Sequence, residues 1–362
     1  MLAAVFDAPG SPPSLREIET SALRPDEVLV AIAGVGVCHT DLTALAGAVP
    51  LPTPAVLGHE GAGVVEAVGA GVSDLSVGDH VVLTFDYCGD CAACGRGRPA
   101  YCASFAPRNY SGARPDGSTT LRGAGGEVHG SWFGQSSWAT HAIADVRNAV
   151  RVDRDAPLRL LGPLGCGLLT GAGTVRNVLR PEPGQSAGFW GIGTVGLAGV
   201  MAAKAAGAST IVAVDVNAER LALARELGAT HTVDPSEVDD VPRWIRKQLG
   251  GLDCVMEAVG TGAVIAQALA SLRSPGVCAT VGLQGPRNEI AVDQGHSLMG
   301  RTLTGVIEGD AEPHRLIPEL IGLWRDGRFP MERLITEYPL VQIDRALADF
   351  RAGRVIKPVL VP

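Results

Sequence analysis

The sequence predicts an α/β fold in two parts, a strand-rich first half and a second half built as a doubly wound parallel sheet. Its 362 residues favour two or three domains rather than one. Up to about residue 160, short apolar runs alternate with Gly and Pro clusters. Beyond that point apolar strands alternate with helical segments, which is the pattern of parallel βαβ units. Hydrophobic residues form 46% of the chain, so it can bury a core and is not disordered.

Clusters of Gly and Pro mark the boundaries of the individual elements. In the first half, strands are predicted at 27–32, 61–69 and 80–83. In the second half, strands are predicted at 186–190, 210–214, 253–258 and 276–282, with helices at 195–206, 218–227 and 263–272. These later strands are continuous apolar runs, as expected of a sheet covered on both faces. A further apolar run at 300–307 precedes a mixed tail, which ends in a β-like stretch at 357–361.

Charge and hydropathy exclude several classes of function. The formal net charge is −8, which argues against a nucleic-acid or anionic-membrane partner. The opening residues have no basic start and reach Asp7 and Pro9 early, so we expect no signal peptide. Five glycines interrupt the long uncharged stretch 185–203, which favours a strand turning into a helix over a membrane span. We therefore expect a cytoplasmic protein.

Four of the eight cysteines form the spacing Cys88-x2-Cys91-x2-Cys94-x7-Cys102. Thiolates at such spacing can close a tetrahedron around one zinc ion. The segment is too small and polar to form a core of its own, so the metal would be structural. Disulfides or an iron–sulfur site are the alternatives, and a cytoplasmic location disfavours disulfides.

The remaining cysteines separate into two kinds. Cys254 and Cys278 lie inside apolar strands and are interpreted as small buried hydrophobic residues. Cys38 and Cys166 each lie in a turn beside glycine, as does His59. Two cysteines and one histidine form a catalytic zinc set that leaves a fourth position open. Ordinary packing is the alternative for each residue taken alone.

A glycine-rich loop of the form G-x-G-x-x-G comprises Gly191, Gly193 and Gly196, with Thr194 and Val195 between the last two glycines. It follows an apolar strand and opens a helix, the context in which such a loop binds a pyrophosphate. Asp215 ends the next strand, where a carboxylate bonds ribose hydroxyls and repels a 2′-phosphate, so NAD is favoured over NADP. A glycine-rich packing turn with an incidental Asp is the alternative.

Together these motifs resemble the zinc-dependent, medium-chain alcohol dehydrogenase family over essentially the whole chain. The resemblance rests on the stretch 58–65, the four-cysteine lobe, Cys166 about 25 residues before the glycine-rich loop, and Asp215. The stretch 132–139 looks most like the aryl- and allylic-alcohol (benzyl alcohol-type) branch. The resemblance implies a GroES-like β-barrel catalytic domain, 1–165 and 306–362, with a structural-zinc lobe at about 88–102. It also implies a Rossmann NAD-binding domain at 166–305, with a cleft between the two domains.

The resemblance also assigns roles to residues. Cys38, His59 and Cys166 would hold the catalytic zinc, with Glu60 as a nearby acid. Thr40 would relay the substrate proton, and Asp41 would orient His59. The cofactor would be contacted by His39 and Lys357 at the pyrophosphate and by Arg220 at the adenosine ribose. The substrate pocket would be lined by Phe85, Trp132 and Phe133, with core packing as the alternative for Trp132.

Two positions depart from patterns within the family. Thr43 occupies the position where many members carry a histidine as the last proton carrier, so either the proton leaves through water and the ribose or another base substitutes. The position near Val49, where the glutathione-dependent formaldehyde branch places an acid, is apolar.

The predicted function is NAD-dependent oxidation of a primary aromatic or allylic alcohol to its aldehyde, reversibly, by alkoxide formation on zinc and hydride transfer. Two zinc ions per chain are expected. A secondary-alcohol, polyol or terpenoid dehydrogenase on the same scaffold is the alternative. A non-catalytic NADH-binding relative is disfavoured because all three catalytic ligands are intact. A homodimer is expected, with a tetramer as the alternative, because the long polar stretch 109–130 resembles the dimeric, liver-type branch.

Overall fold

The computed structural model describes residues 1–285 and 288–362. The chain forms two compact units. The first comprises Met1–Cys166, Glu312–Glu319 and Met331–Pro362, and the second comprises Gly167–Ala311 and Leu320–Pro330. The chain re-enters the first unit at Glu312, six residues after the start predicted at 306. Gly309 still belongs to the second unit, because it packs against the helix that contains Gly173. The approach is so close that a Cβ on Gly309 would lie 2.9 Å from the Gly173 Cα.

The first unit is built from short, mostly antiparallel strands. Its first eleven strands are β1 Leu2–Phe6, β2 Ser14–Glu17, β3 Glu19–Thr20, β4 Glu27–Gly36, β5 Ala55–Val56, β6 Gly61–Val68, β7 His80–Leu83, β8 Leu121–Gly123, β9 Gly126–Val128, β10 His141–Asp145 and β11 Ala149–Val152. Its first helices are α1 His39–Leu45, α2 Phe105–Asn109 and α3 Leu158–Leu161. β4 is the central strand, because its alternating apolar side chains are buried while its edges pair with β6 and β10.

The second unit contains the predicted doubly wound sheet. Its strands are β12 Ser186–Trp190, β13 Thr210–Val214, β14 His231–Val233, β15 Leu252–Glu257, β16 Leu272–Thr280 and β17 Arg301–Gly305. Its helices are α4 Gly167–Gly173, α5 Thr194–Ala206, α6 Ala218–Leu227, α7 Val241–Leu249, α8 Gly262–Ala270 and α9 Gln294–Leu298. The strands pair in the order β14-β13-β12-β15-β16-β17, and every pairing is parallel. The order reverses beside β12, which is where such sheets bind ligands.

Four elements of this unit, α4, β14, α7 and α9, were not predicted, and one helix was predicted too long. β14 has only three residues, two of them polar, so no apolar run marks it. The helix α7 that follows was missed with it. The helix predicted at 263–272 ends at Ala270, because Leu272 already begins β16.

The tail returns to the first unit. It contributes the part of α10 (Pro313–Arg325) up to Glu319, together with β18 Ile335–Pro339, α11 Ile343–Arg351 and β19 Lys357–Val361, while Leu320–Pro330 belongs to the second unit. β19 pairs with the end of β4, so the last strand of the chain reaches the part of β4 from which α1 departs. No single helix in the described residues is long and apolar enough to cross a membrane. Among these residues, one bent pair of helices, 158–165 and 167–179, reaches that length and apolar composition when the two are taken together.

Candidate active site

Four metal-ligating side chains from distant parts of the sequence meet in the first unit. Cys38 caps the N-terminus of α1, His59 and Glu60 lead into β6, and Cys166 ends the turn after α3. The end of β4 and the start of β6 are adjacent because the two strands pair antiparallel. One ligand atom from each of Cys38, His59, Glu60 and Cys166 lies within 4.8 Å of all the others.

The histidine of this cluster, His59, is oriented by a contact with Asp41. His59 is 1% exposed, and its Nδ1 lies 2.8 Å from Oδ1 of Asp41, the contact that the resemblance implied. Its Nε2 is buried and has no hydrogen-bond partner among the described residues. A buried ring nitrogen without a partner is costly unless a ligand binds it. The sulfurs of Cys38 and Cys166 lie within 4.8 Å of a ring nitrogen of His59, so the donor set fits zinc.

Electrostatics favour the metal-binding form of Cys38. A hydrogen bond with Cys166 and the proximity of His59 hold the pKa of Cys38 well below its usual range, although burial opposes the shift. Burial lowers the pKa of His59, but Asp41 outweighs that effect and holds it well above its usual range. Cys38 therefore favours the thiolate, which is the form that binds metal.

Lys357 lies beside the ligand cluster, where it contacts Glu60. The Lys357 ammonium is buried and lies 2.8 and 2.9 Å from the two carboxylate oxygens of Glu60 and 2.9 Å from the carbonyl oxygen of Val37. These contacts use all of its N–H donors. The side chain is therefore paired with Glu60, and its contact with a pyrophosphate stays a prediction. Gly36 permits this arrangement, since a Cβ there would lie 1.9 Å from Oε2 of Glu60.

The first turn of α1 brings further predicted residues to the cluster. The Thr40 hydroxyl lies 3.7 Å from the Cys38 sulfur, so it adjoins the ligand set. His39 is exposed on the same turn, and its ring meets Phe350 edge-on at 5.0 Å. The Thr43 hydroxyl donates to the His39 carbonyl at 2.9 Å and turns back onto the helix.

The three aromatic residues predicted to line a pocket are each at most 3% exposed. The Phe133 ring stacks on the His59 ring at a centroid distance of 4.3 Å. The indole Nε1 of Trp132 donates to Oδ1 of Asp41 at 3.0 Å, a role that the sequence did not indicate. Phe85 packs among neighbouring aromatic rings, the nearest centroid being 5.8 Å away.

Gln135 is a further residue of the site that sequence reasoning missed. Its amide nitrogen donates to the His59 carbonyl at 3.0 Å and to the Thr84 carbonyl at 3.3 Å. Its amide oxygen accepts from the Gly61 backbone N–H at 3.0 Å. The side chain thus fixes the backbone on both sides of Glu60. A run of polar residues between Phe133 and Trp138 was the signal available in the sequence.

The four cysteines of the lobe also converge. The sulfurs of Cys91 and Cys94 are 3.5 Å apart, those of Cys88 and Cys102 are 3.4 Å apart, and those of Cys88 and Cys94 are 3.9 Å apart. A tetrahedral zinc with sulfurs about 2.3 Å away holds them about 3.8 Å from one another. The geometry therefore fits a closed zinc site with four thiolate ligands.

In the second unit, the glycine-rich loop connects β12 to α5. Gly191 has a φ of +84°, which a tight turn requires, and a Cβ on Gly196 would lie 2.0 Å from the Gly191 carbonyl oxygen. A Cβ on Gly193 would meet nothing within 4 Å, so this glycine faces open space. Thr194 begins α5 and Val195 follows it, without a side-chain cap on the helix. This arrangement fits a pyrophosphate at the helix N-terminus.

Asp215 follows β13 beside this loop. Its carboxylate accepts from the backbone N–H groups of Ile192 at 2.6 Å and Asn217 at 2.9 Å. The Arg220 guanidinium lies 4.0 Å from the same carboxylate. Asp215 and Arg220 therefore lie together at the carboxyl end of the sheet, next to the loop.

A donor set that fits zinc in one unit and a doubly wound sheet with a glycine-rich loop in the other are typical of metal-dependent dehydrogenases. Comparison with known families supports this class. Residues 24–154 match the alcohol dehydrogenase GroES-like domain, and residues 194–323 match the zinc-binding dehydrogenase domain. The chain belongs to the zinc-dependent medium-chain alcohol dehydrogenase family, and the predicted pairing of a GroES-like domain with a Rossmann domain is confirmed.

Individual relatives are similar over their full lengths. The geraniol dehydrogenase of Castellaniella defragrans is 46% identical, with 99% of this chain and 97% of the relative aligned. The benzyl alcohol dehydrogenase of Acinetobacter calcoaceticus superposes with a TM-score of 0.95 at 41% identity, covering 99% of this chain and 98% of that one. An alcohol dehydrogenase zinc-binding domain protein of Burkholderia ambifaria superposes with a TM-score of 0.98 at 48% identity, covering 100% and 98%.

Proposed function

We propose that this alcohol dehydrogenase oxidises a primary aromatic or allylic alcohol to its aldehyde, reversibly, with NAD as the hydride acceptor. The observation that carries the proposal is the buried Nε2 of His59, which has no hydrogen-bond partner in the described part of the chain, together with the Cys38 and Cys166 thiols within 4.8 Å of a ring nitrogen of His59. These three residues would hold a catalytic zinc. When bound, zinc supplies a Lewis acid that lowers the pKa of a hydroxyl group, and NAD accepts the hydride.

The chain's own side chains would prepare the alcohol for this reaction. The Thr40 hydroxyl would accept the substrate proton and pass it on, since it lies next to the ligand set. Asp41 would hold the tautomer of His59 that leaves Nε2 free for the metal. Glu60 is held by Lys357 beside the ligands, so its negative charge is balanced there.

The cofactor and metal content form a second part of the proposal. The open space at Gly193 and the uncapped start of α5 would take the pyrophosphate, and Asp215 would bond the adenosine ribose of NAD and repel the 2′-phosphate of NADP. Two zinc ions per chain are proposed, one at Cys38, His59 and Cys166 and one in the lobe.

The substrate class is supported by the names of the relatives, a geraniol and a benzyl alcohol dehydrogenase. Geraniol is itself both an allylic alcohol and a terpenoid, so the terpenoid alternative overlaps with the proposal. The aromatic residues predicted for the pocket, Phe85, Trp132 and Phe133, lie in the same unit as the ligands, and the stacking of Phe133 on His59 places it nearest to them.

A substrate panel tests the proposal directly. Turnover of benzyl, cinnamyl, geranyl, ethyl and secondary alcohols would be measured with NAD and with NADP. We expect the highest kcat/KM for the benzyl, cinnamyl and geranyl alcohols with NAD. Higher values for ethanol or for secondary alcohols would contradict the substrate class.

Metal analysis tests the site independently of the substrate. We expect two zinc ions per chain in the wild type and one in Cys38→Ser, which should fold but lose turnover. A wild type with one zinc, or a Cys38→Ser variant with two, would contradict the catalytic site.

We further propose that the protein is a homodimer, with a tetramer as the alternative, joined along the edge strand β17. A cytoplasmic location accords with the site chemistry, because metal-binding thiols must remain reduced.

A further inference from the structure

We propose that Trp132 is a positioning residue of the reaction: its indole N–H fixes the Asp41 carboxylate, and through it the orientation of the His59 ring. The inference rests on the proposed function, since it concerns the metal site formed by His59 with Cys38 and Cys166. It assigns to Trp132 a role separate from lining a pocket or filling the core.

The Asp41 carboxylate is held by four donors. Its Oδ2 accepts from the Cys38 backbone N–H at 3.0 Å. Its Oδ1 accepts from Nδ1 of His59 at 2.8 Å, from the indole of Trp132 at 3.0 Å and from the Gly58 backbone N–H at 3.2 Å. Asp41 is 0% exposed, so water does not replace any of these donors.

Trp132 differs in kind from the other donors to Asp41. Cys38 and Gly58 donate from the backbone of the two ligand-bearing turns, and His59 is the group to be oriented. Trp132 lies 91 residues away from Asp41 in sequence and belongs to neither turn. Trp132 therefore fixes the carboxylate from a third segment of the chain, outside the two turns that carry the ligands.

The backbone around Trp132 is built to hold the indole in one place. Three residues near it other than glycine have left-handed backbones, Ser131 with φ +87°, Phe133 with φ +50° and Ser136 with φ +54°. The Trp132 backbone N–H donates to the Ser136 hydroxyl at 2.9 Å, and that hydroxyl donates to the Val56 carbonyl at 2.7 Å. Such conformations persist only where the surroundings over-determine them, and they cluster at functional sites.

The same segment restrains the histidine on its other sides. The Phe133 ring stacks on the imidazole, and Gln135 holds the His59 carbonyl. The hydrogen bond from Nδ1 to Asp41 then sets the rotation of the His59 imidazole ring. Partners behind a metal-ligating histidine commonly change metal affinity or activity by about 10- to 100-fold when removed.

The test is the substitution Trp132→Phe, which removes the N–H and keeps an aromatic ring. Trp138→Phe is the matched control, because Trp138 is also 0% exposed and lies six residues away, and its Nε1 has no partner among the described residues. Purified holoenzymes would be incubated with a chelator, and the zinc retained per chain would be followed with time. Cys38→Ser supplies the release rate of the lobe zinc alone.

We expect one zinc to leave Trp132→Phe about 10- to 100-fold faster than it leaves the wild type. Trp138→Phe should release zinc at the wild-type rate. The kcat of Trp132→Phe should fall, while its KM for NAD stays unchanged. Equal release rates for Trp132→Phe and the wild type would overturn the role of Trp132 and leave the proposed function standing. A wild type with only the lobe zinc would overturn the proposed site, and this inference with it.

Two further measurements separate positioning from packing. In an Asp41→Asn background, Trp132→Phe should have little additional effect on zinc release, since Trp132 acts on His59 only through its hydrogen bond to Asp41. A full additional effect would overturn the proposed path. If Trp132→Phe does not fold, β-(3-benzothienyl)alanine placed at position 132 replaces the N–H by sulfur within the same ring shape. Retention of zinc at the wild-type rate in that protein would equally overturn the inference.

Discussion

At the scale of single residues, the hydroxyl of Thr40 carries the proposed proton transfer. Thr40→Ala should lower kcat by about 10²- to 10⁴-fold, because the group that receives the substrate proton is lost. The dissociation constant of NAD, measured by fluorescence titration, should stay unchanged. Thr40→Ser should restore most of the rate. An undiminished kcat in Thr40→Ala would remove this residue from the mechanism.

Thr43 provides the matched control for Thr40. Its hydroxyl lies one helical turn further along α1 and bonds the His39 carbonyl. Thr43→Ala should therefore retain the wild-type rate. Thr43→His would place a proton carrier at the position that many family members use. If proton release limits the rate, kcat in this variant should rise.

Asp215 should decide between NAD and NADP. Asp215→Gly should weaken NAD binding by about 10- to 100-fold, since a hydrogen bond to a charged group contributes about 1.5–3 kcal/mol. NADP should be accepted better, because the repulsion of its 2′-phosphate disappears. Asp234→Gly is the control, since Asp234 directly follows β14 and its carboxylate bonds only Ser236 among the residues that the structure describes. Equal use of NADP and NAD by the wild type would contradict this prediction.

At the scale of elements, substitutions in the loop between β12 and α5 should change NAD binding and protein stability independently of each other. Gly193→Ala should leave the stability of the protein unchanged, since the added Cβ meets nothing within 4 Å and the residue has a negative φ. It should weaken NAD binding by about 100-fold, equivalent to losing one or two hydrogen bonds to a charged phosphate.

Gly196→Ala should behave in the opposite way. Its Cβ would lie 2.0 Å from the Gly191 carbonyl oxygen, so the helix must move away from the strand. Overpacking of this kind costs about 1–3 kcal/mol of stability. Thermal unfolding and NAD titration of both variants check the pair. A destabilised Gly193→Ala with unimpaired NAD binding would show that the loop is only a packing turn.

The cysteine lobe should depend on its metal. Cys94→Ser should reduce the zinc content from two to about one per chain and open the lobe, because the segment has no core of its own. Trypsin should then cut after Arg96, an exposed residue in the turn Cys94–Arg96. Cys278→Ala, which removes a thiol from β16, should keep both zinc ions and resist trypsin. A lobe that resists trypsin without its zinc would contradict the structural role.

The features that could be predicted from the sequence are those that a short stretch of the chain encodes. The strands β12 and β13, the loop between β12 and α5, and the four-cysteine spacing were predictable because each is encoded within a short stretch. The position of Lys357 was not, since its partner Glu60 lies 297 residues away and only the pairing of β19 with β4 brings them together. For the same reason, the donation from Trp132 to Asp41 had no signature in either segment.

At the scale of the whole molecule, the sheet of the second unit ends at β17. Within the described residues this strand pairs only with β16, and an unpaired edge invites a second strand. Several large apolar side chains nearby in the chain are exposed, among them Leu298 at 76% and Met299 at 64%. Two copies related by a two-fold axis would pair their edges and cover these side chains together.

Light scattering at micromolar concentration should therefore give about twice the chain mass of 37.3 kDa. Leu298→Glu should shift the protein towards the mass of one chain, because it buries a charge in the proposed interface. Val341→Glu is the control, since Val341 is 68% exposed in the first unit and should leave the mass unchanged. Four times the chain mass would refute the argument from the long stretch 109–130, which resembles dimeric members. A mass of one chain in the wild type would refute the pairing of edges as well, since the unpaired strand would then be tolerated without a partner.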